Sequence, residues 1–150
     1  MTGTLRARAR VGPAWLLLLA RDQRRQIVGA VSSHAPYALA EAAGALVAPA
    51  AAASLLTQTR LLEHLAVAPE HRRRSLARRL LQEAATRHRA EPEVRLWFGF
   101  LDEREVDQAA DVYRATGFRL VSSAGDLPAP ANVLRHALNR RQGQWFWQEL

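Results

Sequence analysis

The sequence contains no cysteine and no lysine. Without cysteine there can be no disulfide, no thiolate metal ligand and no cysteine nucleophile. Without lysine, the formal net charge of +7 comes entirely from an excess of arginine. Long apolar runs are also missing near the start. Ala14 to Ala20 spans seven residues, far short of the roughly 20 needed to cross a bilayer. Arg6, Arg8 and Arg10 ahead of it give the look of a secretory leader, but Arg21, Arg24 and Arg25 follow directly and no small-x-small cleavage site is present. The run reads as a strand, and the chain as cytoplasmic and not membrane-bound. The five histidines (His34, His64, His71, His88, His136) lack zinc-type spacing, so no metal is expected. His34 and His136 stand alone and read as surface or satisfied core residues.

What is present is an ordinary globular balance, 49% apolar and 23% charged over 150 residues, enough for one domain over residues 1–150 with one core. The basic surface attracts polyanions. Composition leaves nucleic acid, anionic lipid and a phosphorylated cofactor equally open.

Along the chain, Trp15 to Ala20 and Gln26 to Ser33 flank a polar turn and predict a β-hairpin whose first strand is buried on both faces. Leu5 to Val11 supplies at most a vestigial strand before it. From about residue 36 to 58 the composition shifts to alanine, with Gly44 and Pro49 as breakers. Ala38 to Val47 and Ala50 to Leu56 read as helical pieces of a surface excursion. Arg60 to Val67 alternates as a strand that puts Leu61, Glu63, Leu65 and Val67 on one face and His64 on the other. Leu76, Leu80, Ala84 and His88 make a helical stripe that Pro92 ends. Val94 to Leu101 is a strand, Arg104 to Thr116 a helix with Gly117 as its C-terminal cap. Phe118 to Ser123 and Asn132 to Asn139 read as closing strands. A tail from about 141 to 150 carries Trp145, Phe146 and Trp147. The order implies a mixed α/β layer fold.

The stretch from Val67 to Leu81 carries the chemistry. A strand enters a tight loop and then a helix whose first turn is crowded by Arg72, Arg73 and Arg74. Unpaired amides already make a helix start positive, so these arginines oppose the helix dipole. A bound anion resolves that conflict, since amides and guanidinium groups can share a phosphate. From charge alone, a solvated basic face explains the run as well.

The spacing Val67-x-Pro69-x-x-Arg72-x-x-Ser75-x-Ala77, with Leu80 and Leu81 beyond, resembles the acyl-CoA motif of the GNAT superfamily of N-acyltransferases. Ala109-x-x-x-Tyr113-x-x-x-Gly117-Phe118 resembles that family's second signature helix, and the likeness extends over about Trp15 to Asn139. It implies a mostly antiparallel central sheet flanked by helices, and an acetyl-CoA-dependent transfer to a primary amine by direct attack. Backbone amides from Arg72 through Arg73, Arg74, Ser75 and Leu76 to Ala77 would cradle the diphosphate, with Arg78 beside them. The backbone of Leu65, Ala66 and Val67 would pair with the pantetheine arm. Tyr113 would protonate the leaving thiolate, and Glu63 would deprotonate the incoming ammonium. Read without the likeness, Tyr113 is an interface aromatic and Glu63 a surface residue pairing with Arg60 or His64.

Three positions depart from the family pattern. Ser75 stands where glycine is usual, and Val106 where asparagine often precedes the tyrosine helix. Only Met1 to Pro13 precede the hairpin, so the usual N-terminal helices, part of the acceptor wall, have no counterpart. The alanine-rich insertion, the aromatic tail or a second subunit in a homodimer could replace them. These departures keep a second reading open, a non-catalytic CoA-binding or regulatory module. A basic nucleic-acid-binding domain is the weakest of the three, for want of a docking motif. The acceptor is open among small amines, antibiotics, peptide N-termini and lysine side chains.

Overall fold

The apolar stretches at the front pair as their pattern predicts. The structure, a computed structural model, describes residues 5–7, 15–73, 75–138 and 142–150. β1 (Leu5–Ala7) pairs antiparallel with β2 (Trp15–Arg21), and β2 with β3 (Ile27–His34). The rest of the stretch expected to reach Val11 lies outside the described residues. Asp22 stabilises the hairpin turn by accepting a bond from the Gln26 amide at 2.9 Å, the local bond that suits Asp to turns. β2 is not buried on both faces as expected. Leu18 and Ala20 are buried, while Leu17 and Leu19 are half-buried on the other side.

β4 (Thr59–Val67), α3 (Leu76–Arg89), β5 (Leu96–Asp102), α4 (Glu103–Ala115), β6 (Arg119–Val121) and β7 (Gly143–Glu149) follow. The strands form one sheet in the order β1-β2-β3-β4-β5-β7-β6, antiparallel throughout except for the parallel pair β4–β5. This is a mixed α/β fold with a mostly antiparallel sheet. Among the described residues no helix precedes the hairpin, and none is long and apolar enough to cross a membrane.

Local chemistry fixes α4 at both ends. Asp102 and Glu105 form a reciprocal capping box at its start. At its end Gly117 takes φ +95°, and the amides of Gly117 and Phe118 bond back to Arg114 and Tyr113, a Schellman closure that favours glycine at that position. Leu80, Leu81, Ala84 and Ala85 of α3 and Tyr113 of α4 cover one face of the sheet, against Leu18, Val31, Leu62, Trp97 and Phe146.

The other face corrects two expectations. The alanine-rich segment forms α1 (Tyr37–Gly44) and α2 (Pro49–Gln58), but it is no mere surface excursion. Ala43 and Leu55 are fully buried in a second cluster with Leu96, Phe98 and Trp145, because small alanine side chains let the helices lie close to the sheet. The predicted strand at Asn132 to Asn139 is a 3-10 helix, Ala131–His136, with Asn139 outside the described residues. Its buried Ala131 and Leu134 recur at the three-residue period of that helix. The segment of Trp145, Phe146 and Trp147 is β7, inserted between β5 and β6, so Trp145 and Phe146 are buried.

Candidate functional site

The site begins where the parallel pair comes apart. β4 and β5 pair only at Thr59↔Leu96, Arg60↔Trp97 and Leu61↔Phe98. Beyond that point β4 stays with β3 while β5 stays with β7. The Ala68 amide bonds to Val28 O at 2.9 Å. Antiparallel alternation then turns Ala66 toward β3, and the polar groups of Leu65 and Val67 toward the gap.

At the end of β4 the chain makes a 3-10 turn, Pro69–His71, and enters α3. Arg72 Nε donates to Val67 O at 3.2 Å and ties the turn to the strand. Arg73 and Ser75 sit at φ 60° and φ 56°, both left-handed, a region unfavourable for side chains other than glycine. Ser75 thus takes the backbone form of a glycine without being one, and its side chain makes no capping bond to α3. A cavity of about 510 Å³ lies against this turn. Val67, Arg72, Arg73, Ser75, Leu76, Ala77 and Arg78 line it together. Of the residues expected at the diphosphate, Arg74 lies outside the described residues. Leu65 and Ala66 are not among the cavity's lining residues.

The far wall of the cavity was not anticipated. It is formed by Gln108, Asp111, Val112 and Ala115 of α4, whose i, i+3, i+4, i+7 spacing marks one helix face. The polar members of that stripe were its legible signal. Tyr113 points to the opposite side of α4, into the core. Its ring stacks on Phe146 at 4.1 Å and meets Phe118 edge-on. A Cβ on Gly99 would lie 2.2 Å from Phe146 Cζ and 2.9 Å from Leu62 O. Phe146 therefore rests on Gly99 at the parting of β4 and β5, and Tyr113 is one ring removed from the gap. Burial first, then the nearby Glu105 charge, raises the Tyr113 hydroxyl above the usual tyrosine range.

Glu63 is on the other face of the sheet. The register between β3 and β4 shifts at Ser32/Ser33, leaving Glu63 as the extra residue of a bulge. This overturns the expected alternation: an added residue reverses the side-chain faces beyond it. Leu61 joins the cluster under α1 and α2, whereas Leu65 and Val67 join the one under α3. Glu63 and His64 are not on opposite faces. Glu63 Oε2 lies 3.0 Å from His34 Nε2 and 3.7 Å from His64 Nδ1. Arg60 instead bonds Glu91; the expected contact with His64 is present at 3.7 Å, and His34, read as a lone surface or core residue, is the nearer partner.

A buried polar cluster closes the paired end of the gap. His88 spans Glu91 and Ser33, at 2.8 and 2.9 Å, and Trp97 Nε1 donates to Ser33 Oγ at 3.0 Å. Burial tends to raise the Glu91 carboxyl, but hydrogen bonds and charge from His88 and Arg60 outweigh it and hold it below the usual range.

Fold and cavity together define a class: a mixed α/β protein with an arginine-lined helix start beside a parted parallel strand pair. Comparison with known proteins supplies the family. The family model for the acetyltransferase (GNAT) domain matches residues 13–120, and the chain belongs to the GNAT acetyltransferase family. A GNAT-family acetyltransferase from Staphylococcus aureus Mu50 matches with a TM-score of 0.61 at 15% identity, covering 91% of this chain and 68% of that one. A GNAT-family acetyltransferase from Elizabethkingia anophelis, solved with acetyl-CoA bound, gives 0.61 at 12% identity, over 98% of this chain and 97% of that one. A spermidine N-acetyltransferase from Vibrio cholerae gives 0.57 at 13% identity, over 93% and 66%. Likeness at these identities speaks to the fold. No curated protein matches the chain.

Proposed function

We propose that the chain moves an acetyl group from acetyl-CoA to a primary amine by direct attack within a ternary complex. The observation that carries this reading is the left-handed turn at Arg73 and Ser75, which opens the start of α3 onto an arginine-lined cavity. Helix-start amides and guanidinium groups together favour a diphosphate. The Elizabethkingia relative, solved with acetyl-CoA, makes that cosubstrate the natural candidate. Leu65 and Val67 then offer backbone groups to the pantetheine arm as an added strand would.

In this mechanism Glu63 takes a proton from the incoming ammonium, and the freed amine nitrogen bonds to the thioester carbon. The C–S bond breaks, the departing thiolate takes the Tyr113 hydroxyl proton, and the second proton shed by the acylated nitrogen restores that hydroxyl by way of water. The raised proton affinity of Tyr113 keeps that hydroxyl protonated throughout the neutral range.

The test is thiol release from acetyl-CoA across a panel of primary amines. Wild-type protein should release thiol with at least one amine, and Tyr113→Phe should slow it on the order of a hundred-fold with the circular dichroism spectrum unchanged. Acetyl-CoA binding with no amine-dependent release would instead identify a non-catalytic CoA-binding module. Equal rates for wild type and Tyr113→Phe would remove Tyr113 from the chemistry.

A further inference from the structure

His34 ends β3, opposite Leu61, and its ring is clamped on three sides. Trp15 stacks on it at 4.3 Å with an interplanar angle of 22°. Nδ1 lies 2.7 Å from Ala35 O, and Nε2 lies 3.0 Å from Glu63 Oε2. Both ring nitrogens thus face oxygen atoms of fixed groups, which sets the plane and direction of the ring. The His34 side chain is 12% exposed, whereas that of Glu63 is 41% exposed. The histidine is therefore the fixed member of the pair, and the carboxylate is the member that solvent or a ligand can reach.

Register and bulge together set the surroundings of the pair. Glu63 keeps the face of Leu61, and so of Leu61's partner His34; the extra residue brings His64 onto that face too and sends Leu65 and Val67 to the other. Such bulges re-aim side chains next to active sites. His34 and, at 3.7 Å, His64 both approach Oε2. Among the described residues no side chain bonds Oε1. One oxygen is held and the other is left to accept a proton.

We propose that His34, braced by Trp15 and Ala35, is the positioning residue that aims Glu63 at the incoming amine. The proposal rests on the acetyl-transfer reading above. His34 takes no proton in the step. The N–H bond of the ammonium breaks, Oε1–H of Glu63 forms, and the bond from His34 Nε2 to Oε2 persists.

The experiment is a double-mutant cycle on the full chain, read in kcat and in KM for acetyl-CoA. His34→Ala should lower kcat on the order of tenfold, with KM for acetyl-CoA unchanged. His34→Gln, whose amide can still donate to Oε2, should recover part of the loss, and it carries the test if His34→Ala melts below the assay temperature. In a Glu63→Gln background, His34→Ala should change the residual kcat by less than about twofold, the non-additivity expected of residues acting as a unit. An undiminished kcat in His34→Ala, or the same loss in both backgrounds, overturns the positioning role while acetyl transfer stands. A wild-type chain that acetylates no amine overturns both, and so the two failures are distinct.

Discussion

Arg73 and Ser75 pass through the left-handed region two positions apart, at φ 60° and φ 56°. For residues with a Cβ this costs about 1–2 kcal/mol each. Strain of this kind persists where the surroundings over-determine it, commonly at ligand clamps. Under the acetyl-CoA reading proposed above, the backbone has to come close to phosphate, and a glycine-like turn serves that although serine occupies the position. The departure at Ser75 therefore changes the energy of the turn more than its form. Ser75→Gly should leave the melting temperature unchanged or raise it by a degree or two, because relief of the left-handed strain exceeds glycine's extra chain entropy of about 0.4–1 kcal/mol only slightly. Ser75→Val, β-branched and poorly tolerated at positive φ, should lower it by several degrees. Thermal melts with and without acetyl-CoA read both effects. Acetyl-CoA should raise the melting point of wild type and Ser75→Gly, since a ligand that binds only the folded state stabilises it. It should do so much less for Ser75→Val. An identical ligand response in all three proteins would disconnect this turn from acetyl-CoA.

Between elements, the divergence of β4 from β5 depends on Gly99. Phe146 is 1% exposed, and its ring fills the space where a residue-99 side chain would stand, with Leu62 O behind it. Gly99→Ala must displace that ring or the backbone, and overpacking of this kind costs about 1–3 kcal/mol. Since Tyr113 stacks on Phe146, turnover should fall along with stability. A variant that melts like wild type with full turnover would show that the Tyr113–Phe146–Gly99 stack is not required. Much at this scale was legible in the sequence. The hairpin, α3, α4 and its Gly117 cap follow from local periodicity and end signals, as does the basic turn after Pro69. Other features depend on distant partners. A bulge leaves no local mark, because Glu63-His64 reads as ordinary alternation until Ser32 and Ser33 fix the register. β7 is an apolar run like any other until β5 and β6 accept it between them. Ala131 and Leu134 suit a strand or a 3-10 turn within so short a window. His34 seemed isolated because its partners, Trp15 and Glu63, are 19 and 29 positions away.

Across the whole molecule the residues of the proposed reaction divide between the two faces of the sheet. The cavity and Tyr113 lie on the side of α3 and α4, the Glu63–His34 pair on the other, and β4 and β5 part between them. That gap has to be held at its closed end. Arg60 on β4, Glu91 after α3, His88 on α3, Ser33 on β3 and Trp97 on β5 are joined there in one buried hydrogen-bonded cluster. Glu91 is its hub, and its folded-state carboxyl is held below the ordinary value of 4.5 because bonds and charge from His88 and Arg60 outweigh its burial. A carboxyl depressed by folding contributes stability that is fully present above its unfolded value and lost as pH falls through the folded one. The protein should therefore hold its urea midpoint from pH 7 to about pH 5 and lose stability progressively below pH 4.5, as Glu91 is protonated. Glu91→Gln should be less stable at pH 7 by on the order of 1.5–3 kcal/mol, the usual worth of bonds to a charged group. It should also show a shallower decline in acid, because the group that binds the extra proton on unfolding is gone. Urea titrations at pH 7, 5, 4 and 3 on both proteins decide the matter. Parallel acid limbs would place the acid sensitivity on other carboxyls and leave the closed end of the gap held by packing alone.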